Sequence, residues 1–202
     1  MIRTVLLLTW LASPALADTL PALFAVTGVA GDDTLNIRIN PDASTEPIGT
    51  LPPDAQDVEV ITLSGDGRWG MVNGNERAGW VAMRFLARQP GPDWLAMQTP
   101  LTCHGTEPFW TLRANPAVGK IGLSQMDADI AALGIDWSAP TSGRPDRIGW
   151  HITGPATDGF ATLQTTRCTD GMSDQQYGIG IDFFLKSDAG TIGYSGCCSL
   201  VP

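Results

Sequence analysis

The sequence predicts an all-β protein of two units: a small barrel of short antiparallel strands, then a disulfide-stapled antiparallel β unit with at most one short helix. Three observations predict it. Short β-rich runs alternate with Gly, Pro, Asn and Asp turn signals, a Pro-rich break falls near residue 90, and all four cysteines lie beyond that break. The 202 residues allow one large or two small domains, and the break selects two. With 43% hydrophobic and 16% charged residues, the chain does not have the composition of a disordered one. Its 21 Asp and Glu against 12 Lys and Arg, with no cationic run, argue against nucleic acid as a partner. Residues 18–88 hold five basic and ten acidic groups and residues 89–202 six and eleven, so neither half has a charge character of its own.

The first element is a targeting segment. Met1-Ile2-Arg3 supplies a positive start, Val5 to Leu11 an apolar stretch, and Ala15-Leu16-Ala17 a small-x-small cleavage site after Pro14. Residues 1–17 therefore read as a secretory signal peptide cut after Ala17, and the protein is expected in the periplasm or secreted. Asp18 occupies the position where a lipid anchor needs Cys, and no later apolar run approaches the roughly 20 residues of a spanning helix. Stable membrane insertion is not expected.

Residues 18–88 form the first unit. Strands are predicted at Leu23–Val29, Leu35–Ile39, Ile48–Leu51, Val58–Leu63, Trp69–Val72 and Gly79–Val81, with Asn73-Gly74 as a hairpin turn because both residues tolerate positive φ. Residues 89–100, opening with Gln89-Pro90-Gly91-Pro92, read as a linker that carries Trp94 as an aromatic plug. Residues 101–202 form the second unit, with strands at Glu107–Ala114, Lys120–Ser124, Ile148–Thr153, Phe160–Arg167, Tyr177–Lys186 and Thr191–Ser195. Met126–Leu133 has helical character, since Asp127 and Asp129 suit a first turn.

Several motifs recur in order in the first unit: Leu35-Asn36-Ile37-Arg38, Ile48-Gly49-Thr50-Leu51-Pro52, Val58-Glu59-Val60, Trp69-Gly70-Met71-Val72 and Gly79-Trp80-Val81. Together they resemble the bacterial Src-homology-3-like domain. The resemblance implies a non-catalytic binding module of exported proteins that engages peptidoglycan peptide or an envelope protein partner. Trp69, Trp80 and Asp66 are then the candidate ligand-binding residues. The alternative roles are structural: the tryptophans fill the core, and Asp66 shapes the Ser64-Gly65-Asp66-Gly67 turn.

In the second unit, Cys103-His104-Gly105-Thr106-Glu107-Pro108-Phe109-Trp110, Cys168-Thr169-Asp170-Gly171-Met172-Ser173-Asp174 and Gly196-Cys197-Cys198 resemble a family of uncharacterised bacterial envelope proteins. Many of these are lipoproteins, loosely similar to the small β-rich domain of heat-shock protein HslJ. The family implies no chemistry, but it marks Glu107, Phe109, Trp110, Asp170 and Asp174 as motif residues. In an oxidising compartment an even cysteine count without a cofactor motif reads as two disulfides. Adjacent strand residues face opposite sides, so Cys197 and Cys198 are expected to bond one each with Cys103 and Cys168, the pairing left open. No metal or other cofactor is expected. The competing reading is an enzyme, or a redox or metal-binding envelope protein, with chemistry around Cys103, Glu107 and Cys197-Cys198. Only His104 and His151 are available as imidazole bases. Glu107 beside Phe109 and Trp110 is expected to be partly buried and paired with Arg113 or Arg167, and Asp170 and Asp174 to shape a turn.

Overall fold

A computed structural model describes residues 19–126 and 128–200, so the signal segment and Asp127 lie outside the described residues. The first half contains β1 (Ala22–Val26), β2 (Leu35–Arg38), β3 (Pro47–Leu51), β4 (Val58–Val60), β5 (Thr62–Leu63), β6 (Trp69–Gly74), β7 (Arg77–Ala82) and β8 (Leu86–Arg88). They form two antiparallel sheets, ordered β4-β1-β8 and β3-β2-β7-β6-β5. Alternation puts Phe24, Ile37, Val60, Val72 and Val81 into one core. Each such side chain contributes roughly 1.5–3 kcal/mol by leaving water.

The predicted Asn73-Gly74 turn is displaced. Both residues continue β6, Gly74 pairs with Arg77, and the hairpin turns at Asn75, whose φ is 53°. Gly74 serves packing instead, because a Cβ there would collide with Ile37.

The second half contains β9 (Leu101–Thr106), β10 (Phe109–Asn115), β11 (Lys120–Gln125), β12 (Ala128–Thr141), β13 (Arg144–Gly154), β14 (Thr157–Cys168), β15 (Tyr177–Ser187) and β16 (Gly190–Ser199). Every neighbour is antiparallel, and the eight strands close into a barrel in chain order. Its core holds Leu112, Trp150, Leu163, Ile179 and Phe183, joined by Trp94 from the linker. Trp94 is thus the plug that its isolated position in the linker predicts.

The helix expected at Met126–Leu133 does not form. From Ala128 onward that segment is β12, which fills the place between the edges of β11 and β13. Pairing on both sides outweighs a weak local helical preference. Pro140 sits in the same strand beyond Gly134, the last residue of β12 to pair with β11, so its missing N–H leaves no β11 partner unserved.

Closure is weakest at the seam between β16 and β9, where only Cys197–His104, Cys198–Cys103 and Ser199–Thr102 pair. Both disulfides converge there. Cys103–Cys198 crosses the seam, and Cys168–Cys197 ties β14 to β16. Cys198 belongs to the barrel core while Cys197 faces the other way, as adjacent strand residues must. Gly180, paired with Cys197, makes room on β15 for Thr166 of β14, whose methyl group a Cβ there would meet at 2.8 Å.

The two halves are joined by hydrogen bonds. The Asn73 side chain donates to the Gln176 carbonyl at 2.8 Å and accepts from the Gln176 amide at 3.1 Å, imitating a strand neighbour. The Ala78 amide donates to the Asp174 carbonyl, and the Leu200 amide to the Glu59 carboxylate. Among the described residues no helix is long and apolar enough to cross a membrane.

Candidate functional site

Three hollows bring the motif residues together. The first lies on the outer face of the five-stranded sheet. On β6 and β7, Gly70, Val72, Gly79 and Val81 turn inward, so Trp69 and Trp80 turn outward and stay half-buried outside the core. Met71 pairs with Trp80, and Trp80 with Arg38 on β2. Trp69, without Trp80, lines a groove of about 300 Å³ together with Asp33, Asn36, Arg38, Arg84 and Phe85. The Arg84 guanidinium lies 4.5 Å over the Phe85 ring, and Arg38 donates to the Thr45 carbonyl. The groove therefore combines aromatic surface with charges of both signs.

Asp66 lies outside that groove. It accepts from the Ser64 hydroxyl and from the Arg68 amide and guanidinium, and these bonds hold its carboxyl well below the usual carboxylate range. It shapes its own turn.

The second hollow, about 530 Å³, lies beside the β9–β10 hairpin and gathers much of the cysteine-bearing motif: His104, Gly105, Phe109, Trp110, Asp170 and Met172. Trp110 itself faces the core, edge-on to Phe183 at 5.0 Å. Its indole is cradled by two glycines: a Cβ on Gly105 would overlap the indole Nε1 and sit 2.7 Å from the Ser195 carbonyl, and one on Gly196 would sit 2.6 Å from the ring. The spacing of Gly105, Trp110 and Gly196 is thus a packing requirement. Phe109 is 53% exposed on the rim.

Glu107 departs from expectation. It is exposed at the hairpin tip, and no ion pair to Arg113 or Arg167 is formed among the described residues. The hairpin points it into water, so it needs no buried partner. Asp170 organises its loop by accepting from the amides of Met172 and Ser173 and from the Ser173 hydroxyl. Burial opposes its charged form, but these bonds outweigh burial and hold its pKa down. Asp174 works through its backbone, bridging to Arg77 and accepting from Ala78.

His104 also borders the third hollow, about 480 Å³ between the halves, lined by Asp57, Asn73, Gln175 and Tyr177. Its ring meets Tyr177 edge-on at 4.7 Å. Burial pushes its pKa down, with Asp170 pulling the other way. Neither Tyr177 nor Asn73 stands out in the sequence as a functional residue, because their roles arise only when the halves meet.

Comparison with protein-family models, curated proteins and solved structures finds no match. The chemistry must come from the geometry. All four cysteines are in disulfides, which leaves none as a thiolate ligand or nucleophile. Two disulfides are the usage of an oxidising, non-cytoplasmic compartment.

Proposed function

We propose that this is an exported, non-catalytic binding protein of the cell envelope, whose first half is a Src-homology-3-like module for peptidoglycan peptide. The ordered motifs, the two small antiparallel sheets and the disulfides support this reading. One observation carries it. Trp69 stands outside the core on a groove that also presents Asp33, Arg38 and Arg84, and an extended peptide bearing both carboxylates and amines complements such a surface. Less supports the competing enzymatic reading: the cysteines are bonded to one another, and Glu107 is exposed at a hairpin tip.

Retention of the full chain on purified peptidoglycan sacculi tests the proposal. Wild type is expected to be retained and Trp69→Ala to be released. No retention of the wild type removes the cell-wall ligand and leaves a protein partner as the occupant.

A further inference from the structure

The outer wall of the barrel carries a feature that the Trp69 groove does not explain. The strand registers put Trp137 beside His151, His151 beside Phe160, Phe160 beside Phe184, and Phe184 beside Gly193. Five consecutive strands thus contribute one lateral row, spanning about 19 Å at the usual strand spacing. Trp137 and Phe160 are 53% exposed and Phe184 is 49% exposed. The rings are arranged as a platform. Trp137 and His151 stack at 5.7 Å and 21°, and Phe160 and Phe184 lie at 5.4 Å and 31°. His151 is held between Asp136 and Asp158, at 3.2 and 2.9 Å. Phe184 lies over bare backbone at Gly193, where a Cβ would sit 2.8 Å from its ring.

The rows on either side are polar or small. Thr153, Asp158, Lys186 and Thr191 form one, and Gly149, Thr162, Asp182 and Ser195 form the other. A hollow of about 440 Å³ opens over Phe160 and Phe184, bordered by Asp158, Lys186 and Thr191.

The dimensions select the occupant. Three half-exposed rings offer about 300 Å² of surface, well short of the ~800 Å² per partner that a stable protein interface buries. Asp136 and Asp158 hold His151, Asp158 pairs across the strands with Lys186, and Asp182 stands in the other flanking row, so carboxylates outnumber the basic groups and disfavour a polyanion or an anionic lipid surface. A narrow line of half-exposed rings, one per strand and bordered by carboxylates and hydroxyls, fits a thin, uncharged, polyhydroxylated chain. The C–H faces of its pyranoses would pack on the exposed parts of the rings and its hydroxyls would donate to the flanking carboxylates.

We propose that the row Trp137, His151, Phe160 and Phe184 binds a β-1,4-linked hexopyranose chain laid across the strands as a flat ribbon. This site is separate from the Trp69 groove, and its test does not depend on peptide binding. Calorimetry on the full chain would use cellohexaose, chitohexaose and α-1,4-linked maltohexaose as probes. At least one β-linked hexamer is expected to bind and to change the fluorescence of Trp137. Phe160→Ala/Phe184→Ala is expected to weaken that binding by about tenfold or more. Near-UV circular dichroism would establish that the variant remains folded, and Trp137→Phe would remove the fluorescence change while retaining a ring. Three results would overturn the proposal: no binding of either β-linked hexamer, equal binding of maltohexaose, or undiminished binding by the folded double variant. Concentration-dependent dimerisation abolished by the same variant would assign the row to a second copy instead.

Discussion

The two halves use tryptophan in opposite ways. In the first half, Gly70 and Gly79 occupy inward positions against Val60 and against Ile37 and Ile48, and Trp69 and Trp80 are left on the outer face. In the second, Gly105 and Gly196 again take inward positions, but here they make room for Trp110 inside the wall. Trp150 and Trp94 share that interior. The difference teaches what closure does. An open pair of sheets has edges and a small core, whereas the closed barrel removes its edges and encloses large rings, at the expense of a seam where the last strand must find the first. The first half has no cysteine, and the second places both of its cross-links at the seam.

The most disruptive test removes the bond across that seam. Replacing Cys103 and Cys198 by Ala frees a loop with a sequence separation of 95, and is expected to cost about 4–5 kcal/mol. Thermal unfolding should show the loss, and hydrogen exchange should place the earliest opening at β9 and β16. Replacing Cys168 and Cys197, with a separation of 29, is expected to cost less, about 3–4 kcal/mol. The seam account fails if the second pair matters more than the first.

A smaller effect is expected from Gly105→Ala, about 1–3 kcal/mol, because the new methyl group meets the Trp110 ring and the Ser195 carbonyl. A near-neutral result would mean that the cradle is looser than its geometry. The mildest test separates the two histidines by proton NMR titration. Asp158 and then Asp136 raise the pKa of His151, so its contribution to stability is full below the ordinary imidazole value and is lost as pH rises through its folded value. Burial lowers the pKa of His104, so its contribution is present above the ordinary value and is lost as pH falls through its folded value. The midpoints should lie on opposite sides of the ordinary value, and coincident midpoints would contradict both environments.

Much of this was legible in residue order. Period-two alternation marks strands such as Leu35–Arg38 and Tyr177–Ser187, and the adjacency of Cys197 and Cys198 forces their bonds to opposite faces. What local sequence does not carry is register. Ala131-Ala132 by itself favours a helix, and the open edges of β11 and β13 override that preference. Asn73-Gly74 has the chemistry of a turn, yet Ile37 and Gln176 give both residues other work. The aromatic row is invisible for the same reason: Trp137, His151, Phe160 and Phe184 lie on four strands, and only pairing aligns them.

The far end of β16 does more than finish a barrel. Its last residues are bonded covalently to β9 and β14, and the next residue, Leu200, donates its amide to Glu59 in the first half. Beside it, Asn73 grips the backbone of Gln176. The strand that closes the seam is thus also the one that leads into the contact with the first half, so loss of the Cys103–Cys198 bond is expected to loosen the junction between the halves as well as the barrel wall.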